Sequence, residues 1–85
     1  PAADALSEKH PLAAVIIRRA MIDDALIGAK SKRYRHAARH LAECQSSDAR
    51  IDNYGTYPDH SAYLAHLRQK HHRKSGFWDL VAPPG

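Results

Sequence analysis

Apolar residues after Pro11 recur at intervals of three and four positions, which is the strongest structural signal in this 85-residue sequence. That spacing places them along one broad side of an α-helix. Proline suits the first helical turn, because its missing N–H would have no intrahelical partner there. The pattern predicts a long helix that starts at Pro11 and ends at Gly28 or Lys30. Its predicted inward positions are Leu12, Val15, Ile16, Met21, Ile22, Leu26 and Ile27.

Further helices are predicted along the rest of the chain. Ser31 is a good N-cap for a helix over 31–45, and Asp59 is one for a helix over 59–74, because both side chains carry oxygens that accept from the first helical turn. Cations crowd the last turns of the 59–74 helix, where they complement the helix dipole. We expect residues 75–76 to end this helix and the apolar cluster at 77–81 to form a short terminal helix or turn.

No stretch alternates apolar and polar residues over strand length, so we predict an all-α fold. The short turn at 28–30 favours an antiparallel αα-hairpin, which a third helix and a short C-terminal helix complete into a small bundle like one unit of a helical repeat. We expect one domain over 1–85, with its core between 10 and 81 and a flexible tail at 82–85. The side chains predicted to be largely buried are Leu12, Ile16, Ala20, Leu26, Tyr34, Ala38, Leu41, Tyr63, Leu64, Leu67, Phe77 and Trp78.

The composition argues against secreted and membrane-spanning proteins. A single cysteine cannot form an internal disulfide, which favours a reducing compartment. No apolar run reaches the roughly 20 residues that span a bilayer. We therefore predict a cytoplasmic protein with no membrane partner. The start at Pro1 and the Pro- and Gly-rich end also predict a C-terminal fragment of a longer protein, whose activity could lie in the missing part.

Five segments resemble the C-terminal part of an uncharacterised bacterial family, a domain of unknown function with helical-repeat character. They read HPLAA at 10–14, RAMIDD at 19–24, YRHAARHL at 34–41, DHSAYLAHLR at 59–68 and RKSGFW at 73–78. The resemblance covers nearly all of the chain from 10 to 81. It implies the C-terminal helical portion of a larger, mostly α-helical bacterial protein, and it supplies no catalytic or binding residues.

Basic residues cluster on the second and third predicted helices. The net charge of +4 and the pI near 9.5 are compatible with contacts to phosphates. Cations on helix surfaces are also an ordinary means of keeping a small domain soluble, and acidic residues interrupt the basic field. Both interpretations stay open from the sequence. The candidate contacts with nucleic acid or another partner are Lys32, Arg33, Arg35, His36, Arg39, His40, Arg68, Lys70, Arg73 and Lys74.

Metal binding and catalysis receive little support from the sequence. His36 and His40 stand four residues apart, and Cys44 continues their row, which is a spacing that helical zinc sites use. Yet no HExxH arrangement and no second cysteine accompany them, so we predict no metal and no cofactor. For Asp23 we expect an ion pair, for which Arg19 stands four residues earlier, or a hydrogen bond between helices, and we identify no catalytic residue.

The sequence therefore predicts a non-catalytic α-helical module that takes part in protein–protein or interdomain binding. The expected partner is another protein or the missing N-terminal part of the same chain. The isolated fragment could form a homodimer through an apolar face that includes Ala2, Ala3, Ala5 and Leu6. The alternative is nucleic-acid binding through the basic faces of the helices at 31–45 and 59–74.

Overall fold

A computed structural model describes residues 9–28 and 31–81 of the chain. Its helices are α1 (Pro11–Ile27), α2 (Tyr34–Asp48), α3 (His60–Lys70) and α4 (Ser75–Trp78), with a 3₁₀ turn at Ser31–Arg33 before α2. These two ranges contain no strand, so the predicted all-α fold is confirmed. The predicted tail at 82–85 and the predicted dimer face at Ala2, Ala3, Ala5 and Leu6 lie outside the described residues.

The first two helices form the predicted hairpin, and their contact is the most extensive one between any two elements. Small buried residues occur on both arms: Ala14 and Ala25 on α1, and Ala37 on α2. Ala25 and Ala37 belong to one buried cluster with Ile22 and Leu41. The hairpin supplies most of the buried core, and α3 and α4 pack against it.

The later helices close the open side of this hairpin. Leu67 of α3 and Phe77 of α4 are fully buried against it. Tyr34 and Phe77 meet edge-to-face with centroids 6.2 Å apart, and Phe77 and Trp78 do so at 4.8 Å. The indole N–H of Trp78 donates to the carbonyl of His71 at 2.9 Å, which ties α4 back to the end of α3.

Four helix boundaries differ from the predicted ones. The α-helix of the hairpin's second arm begins at Tyr34 instead of Ser31, because residues 31–33 form a 3₁₀ turn, and it continues to Asp48. The third helix begins where predicted, since the Asp59 side chain accepts from the Ala62 N–H at 2.9 Å. It ends at Lys70, because residues 71–74 turn and α4 starts at the position where a break was expected.

Burial on α1 departs most from the predicted pattern. Ala20 is exposed, and so are Met21 (46%) and Ile27 (73%), so their placement toward the core was wrong. Leu12 and Ile16 are half-buried. The physical reason is that α1 has apolar residues on more than one side, whereas the described helices cover only one of them.

The remaining predicted core positions all contribute to the core, although four of them are only partly buried. The fully or nearly buried ones are Leu26, Leu41, Tyr63, Leu67 and Phe77, and Tyr34, Ala38, Leu64 and Trp78 are partly buried against this core.

Candidate interaction surfaces

Arg19, in the middle of α1, is only 6% exposed and carries the most unusual environment of the chain. Its guanidinium lies over the ring of Tyr63, 4.4 Å from the centroid, and 5.5 Å from the ring centroid of Tyr54. One of its terminal nitrogens donates to the carbonyl of Pro58 at 2.8 Å. The predicted ion pair with Asp23 is therefore wrong: Arg19 binds a backbone carbonyl and two aromatic rings across the core.

The contacts of Arg19 fix the shape of the connection between α2 and α3, residues 49–59. Tyr54 sits against the guanidinium and donates its hydroxyl proton to Asp48 at the end of α2. The N–H of Gly55, whose φ of 63° few other residues adopt without strain, donates to the Asn53 side chain at 2.7 Å. Arg19 thus contacts Tyr54 and Pro58 of this irregular segment, and the hydrogen bond between Gly55 and Asn53 stabilises the segment itself.

Several buried polar atoms around Arg19 have no hydrogen-bond partner among the described residues. They are Nε and one terminal nitrogen of Arg19, Nδ1 of His60 and the hydroxyl of Tyr63. Burial lowers the pKa of His60, and it raises the pKa of Tyr63. Burial and the hydrogen bond to Asp48 raise the pKa of Tyr54 to about 12.

These shifts leave Arg19 as a fixed positive charge among neutral rings at neutral pH. A tyrosine that acts as an acid or base near pH 7 needs a pKa lowered toward 7, and both tyrosines move the other way. Burial thus keeps both tyrosines protonated at neutral pH.

A groove of about 670 Å³ opens between the first half of α1 and the connection that Arg19 holds. Leu12, Ile16 and Ile17 form the α1 wall, and Ile51 and Tyr57 lie on the opposite wall. Ile17 is 37% exposed and Tyr57 is 51% exposed, so large apolar side chains face the opening. The polar residues that also line it are Lys9, His10, Arg50, Asp52 and Asn53.

The apolar surface continues from this groove along α1. Met21 follows Ile17 by four residues, so the two lie one above the other on the same helix face. Both are exposed, as are Ala13 and Ala20 beside them. We refer to the groove and this stripe together as the α1 surface, because one apolar face of the helix contributes to both.

The basic residues predicted as contacts lie mostly on the outside of the bundle. Lys32, Arg33, Arg35, His36 and Arg39 are exposed at the start of the hairpin's second arm, and Arg68, Lys70 and Arg73 are exposed near the end of the chain. Arg33 lies 3.9 Å from the carboxylate of Asp24.

Two predicted contacts are engaged inside the protein. His40 is half-buried, and its Nδ1 lies 3.0 Å from a terminal nitrogen of Arg18 on α1. Because a guanidinium only donates, Nδ1 of His40 accepts this hydrogen bond. Lys74 is half-buried too, with its ammonium 3.4 Å from the carbonyl of Gly28 and 5.8 Å from the Tyr34 ring centroid.

The predicted row of His36, His40 and Cys44 is not assembled as a ligand set. Cys44 is fully buried, and its sulfur lies 3.9 Å from the carbonyl of Val15. Burial raises the pKa of its thiol to about 11, so the thiolate that binds metals or attacks substrates is disfavoured. Within residues 9–28 and 31–81, no three His, Cys, Asp or Glu side chains stand close enough to hold a metal ion.

Sequence reasoning missed Arg19 as an organising residue. The available signal was its position: Arg18 and Arg19 lie between Val15 and Ile22, on the side of α1 that the apolar spacing turns inward. Two arginines at inward positions indicate that each needs an interaction partner inside the fold. Tyr54 and Tyr63 could have been considered as cation–π partners.

The fold and these surfaces define the class: a small all-α domain built on an αα-hairpin, with an open apolar groove along its first helix. In the described residues no helix is both long and apolar enough to cross a membrane. The chain belongs to DUF6880, a family of unknown function, whose family model matches residues 1–80. A search of curated proteins found no match, and a search of solved structures found none either.

Proposed function

We propose that this chain is a non-catalytic interaction module that binds another protein, or another segment of its own chain, in the groove of the α1 surface. The groove has the size of a ligand pocket, and most of the side chains at its walls are apolar. Exposed apolar residues next to it extend the area available to a polypeptide partner, and patches of this kind on small soluble domains commonly mark interaction sites.

The observation that carries this proposal is the buried Arg19 beside the groove. A guanidinium without a carboxylate partner, and with donors left unpaired, is costly to bury. The contacts it makes hold the connection that forms the second wall, through Pro58 and Tyr54. A wall held in place before binding loses less conformational entropy when the partner arrives. We infer that the buried guanidinium of Arg19, despite its energetic cost, keeps the second wall of the groove in place before a partner binds.

The proposal places the module in the cytoplasm of a bacterium, as one hairpin unit of a longer helical protein. Its single cysteine is buried and free, which suits a reducing compartment. Hairpins of helical repeats bury one face on the next unit, and the α1 surface is a face that residues 9–28 and 31–81 leave exposed.

Site-directed photo-crosslinking tests the groove. Cys44 is buried and resists modification, so Ile17→Cys introduces one reactive thiol at the groove, and Ala42→Cys introduces one on the exposed side of α2. Each variant carries a benzophenone label in the native host. We expect Ile17→Cys to yield a defined crosslinked polypeptide that Ala42→Cys does not.

A second step separates a specific partner from incidental capture. Once purified, the crosslinked partner should bind the unlabelled domain in a calorimetric titration, and Tyr57→Asp should weaken the affinity at least about tenfold, a loss of about 1.4 kcal/mol. Tyr57 is half exposed, so this change spares the core. Equal crosslinks from both positions, or unchanged affinity in Tyr57→Asp, would refute the proposal.

A further inference from the structure

Two basic clusters that are far apart in the sequence meet at the end of the bundle opposite the groove. Lys74 approaches the carbonyl of Gly28 at the end of α1 and the ring of Tyr34 at the start of α2. Arg73 is its neighbour in sequence, and Arg35 is the neighbour of Tyr34. We call Lys32, Arg33, Arg35, Arg73 and Lys74 the basic end.

The basic end is available to a ligand. Lys32, Arg33, Arg35 and Arg73 are all exposed. Asp24 approaches Arg33 to 3.9 Å, but both side chains are highly exposed, so this ion pair is weak. Cations grouped in this way raise the local positive potential and attract polyanions.

The aromatic residues next to the basic end are occupied by cations. Lys74 lies over Tyr34, and Arg68 lies over Trp78 with its guanidinium carbon 4.4 Å from the ring centroid. Between them Phe77 is fully buried. Each of these cations covers one face of its ring, which leaves less aromatic surface on which a nucleic-acid base could stack.

We propose that the basic end binds the phosphate backbone of nucleic acid without reading its sequence. Three of its five cations are arginines, whose planar guanidinium matches phosphate oxygens in a bidentate manner. Phosphate contacts position a protein on nucleic acid but carry no sequence information. This surface is separate from the groove, so the proposal does not depend on the groove's partner.

Fluorescence anisotropy with a mixed-sequence DNA duplex and a single-stranded RNA tests this inference. We expect dissociation constants of roughly micromolar at physiological salt, with little difference between unrelated sequences. Four phosphate contacts predict that doubling the salt concentration weakens duplex binding about tenfold. An acidic polypeptide of poly-glutamate, tested in parallel, should bind more weakly, because carboxylates are spaced and oriented differently from backbone phosphates.

A matched pair of variants locates the contact. Arg35→Gln with Arg73→Gln removes two exposed cations of the basic end, whereas Lys9→Gln with Arg50→Gln removes the same charge at the groove. The first pair should weaken duplex binding at least about tenfold and lower the salt slope by about two, while the second changes affinity less than about threefold. Thermal melts should show both pairs folded.

Three results would overturn the inference. The first is no binding of either nucleic acid at physiological salt. The second is equal weakening by both pairs of variants, which would mean attraction by net charge alone. The third is tighter binding of poly-glutamate than of nucleic acid, which would assign the basic end to acidic proteins.

Discussion

Replacing Arg19 by methionine should loosen the connection between α2 and α3 while changing global stability little. Methionine keeps an unbranched apolar stem of similar length, but it cannot donate to Pro58 or attract the two tyrosine rings. The charged hydrogen bond is worth about 1.5–3 kcal/mol. The ring contacts add about 0.5–2 kcal/mol.

The Arg19 side chain also destabilises the folded protein, because some of its donors are buried without partners. Arg19 buries Nε and a terminal nitrogen without partners, and each such group costs about 1–3 kcal/mol. Methionine removes both. The gains and losses nearly cancel, so we expect the free energy of unfolding to change by less than about 2 kcal/mol in either direction.

The stability of the connection alone should still fall. Removing the unpaired donors of Arg19 stabilises the core, whereas losing the hydrogen bond to Pro58 destabilises the connection. With the Pro58 contact gone, the free energy that keeps the connection closed falls by about 2 kcal/mol, which is roughly a 30-fold change in the opening equilibrium. Amide hydrogen exchange should report it at Tyr57, whose N–H donates to the carbonyl of Tyr54 at 3.1 Å.

Arg18→Met is the matched control. Arg18 is the adjacent buried arginine, and one of its terminal nitrogens donates to His40 on α2. Exchange at residues 50–58 should change much less in this variant than in Arg19→Met. Unaltered exchange there in Arg19→Met, or a loss of more than about 4 kcal/mol in its global stability, would refute the account of Arg19 as the residue that holds the groove wall.

Three further outcomes follow from the core and the buried titratable groups. Leu67→Ala removes a fully buried side chain and should lower the free energy of unfolding by about 2–5 kcal/mol, and an unchanged thermal midpoint would contradict the packing. The Cys44 thiol, with its pKa raised to about 11 by burial, should react with a disulfide reagent at pH 8 only as fast as the protein opens, and labelling at the rate of a free thiol would contradict its placement. Burial lowers the pKa of His60 and of His71, so the unfolded chain takes up protons below about pH 6.5 before the folded one does, and the free energy of unfolding should fall as the pH is lowered toward 5. Urea unfolding of the wild type and of His60→Gln with His71→Gln checks the last point, since the double variant should show a flatter pH dependence.

The fold could be predicted because it depends on local patterns. Apolar spacing and Pro11 defined α1, and Asp59 defined the start of α3 through the hydrogen bond it was expected to accept. These signals act over one or two helical turns, so no knowledge of distant contacts is needed.

The candidate surfaces depend on distant contacts, which explains why the sequence did not reveal them. Arg19 looked like the partner of Asp23 because local spacing is the only distance a sequence displays, whereas its real partners lie 35 to 44 residues away, at Tyr54, Pro58 and Tyr63. Met21 looked buried for the same reason: periodicity shows that a helix has an apolar side but not which side a neighbour covers.

The length of α1 has a consequence for how the two surfaces could work together. Its 17 residues span about 25 Å, with the groove along the first half and the basic end beyond its last residue. From Ile17, the last groove residue on α1, the helix rises about 16 Å to Gly28, which is about twice the Debye length at physiological salt, so a polyanion at the basic end would change the groove's affinity for a polypeptide little through charge. The two occupants would bind additively, and the helix would act as a rigid spacer that brings a protein and a nucleic acid onto one 85-residue chain.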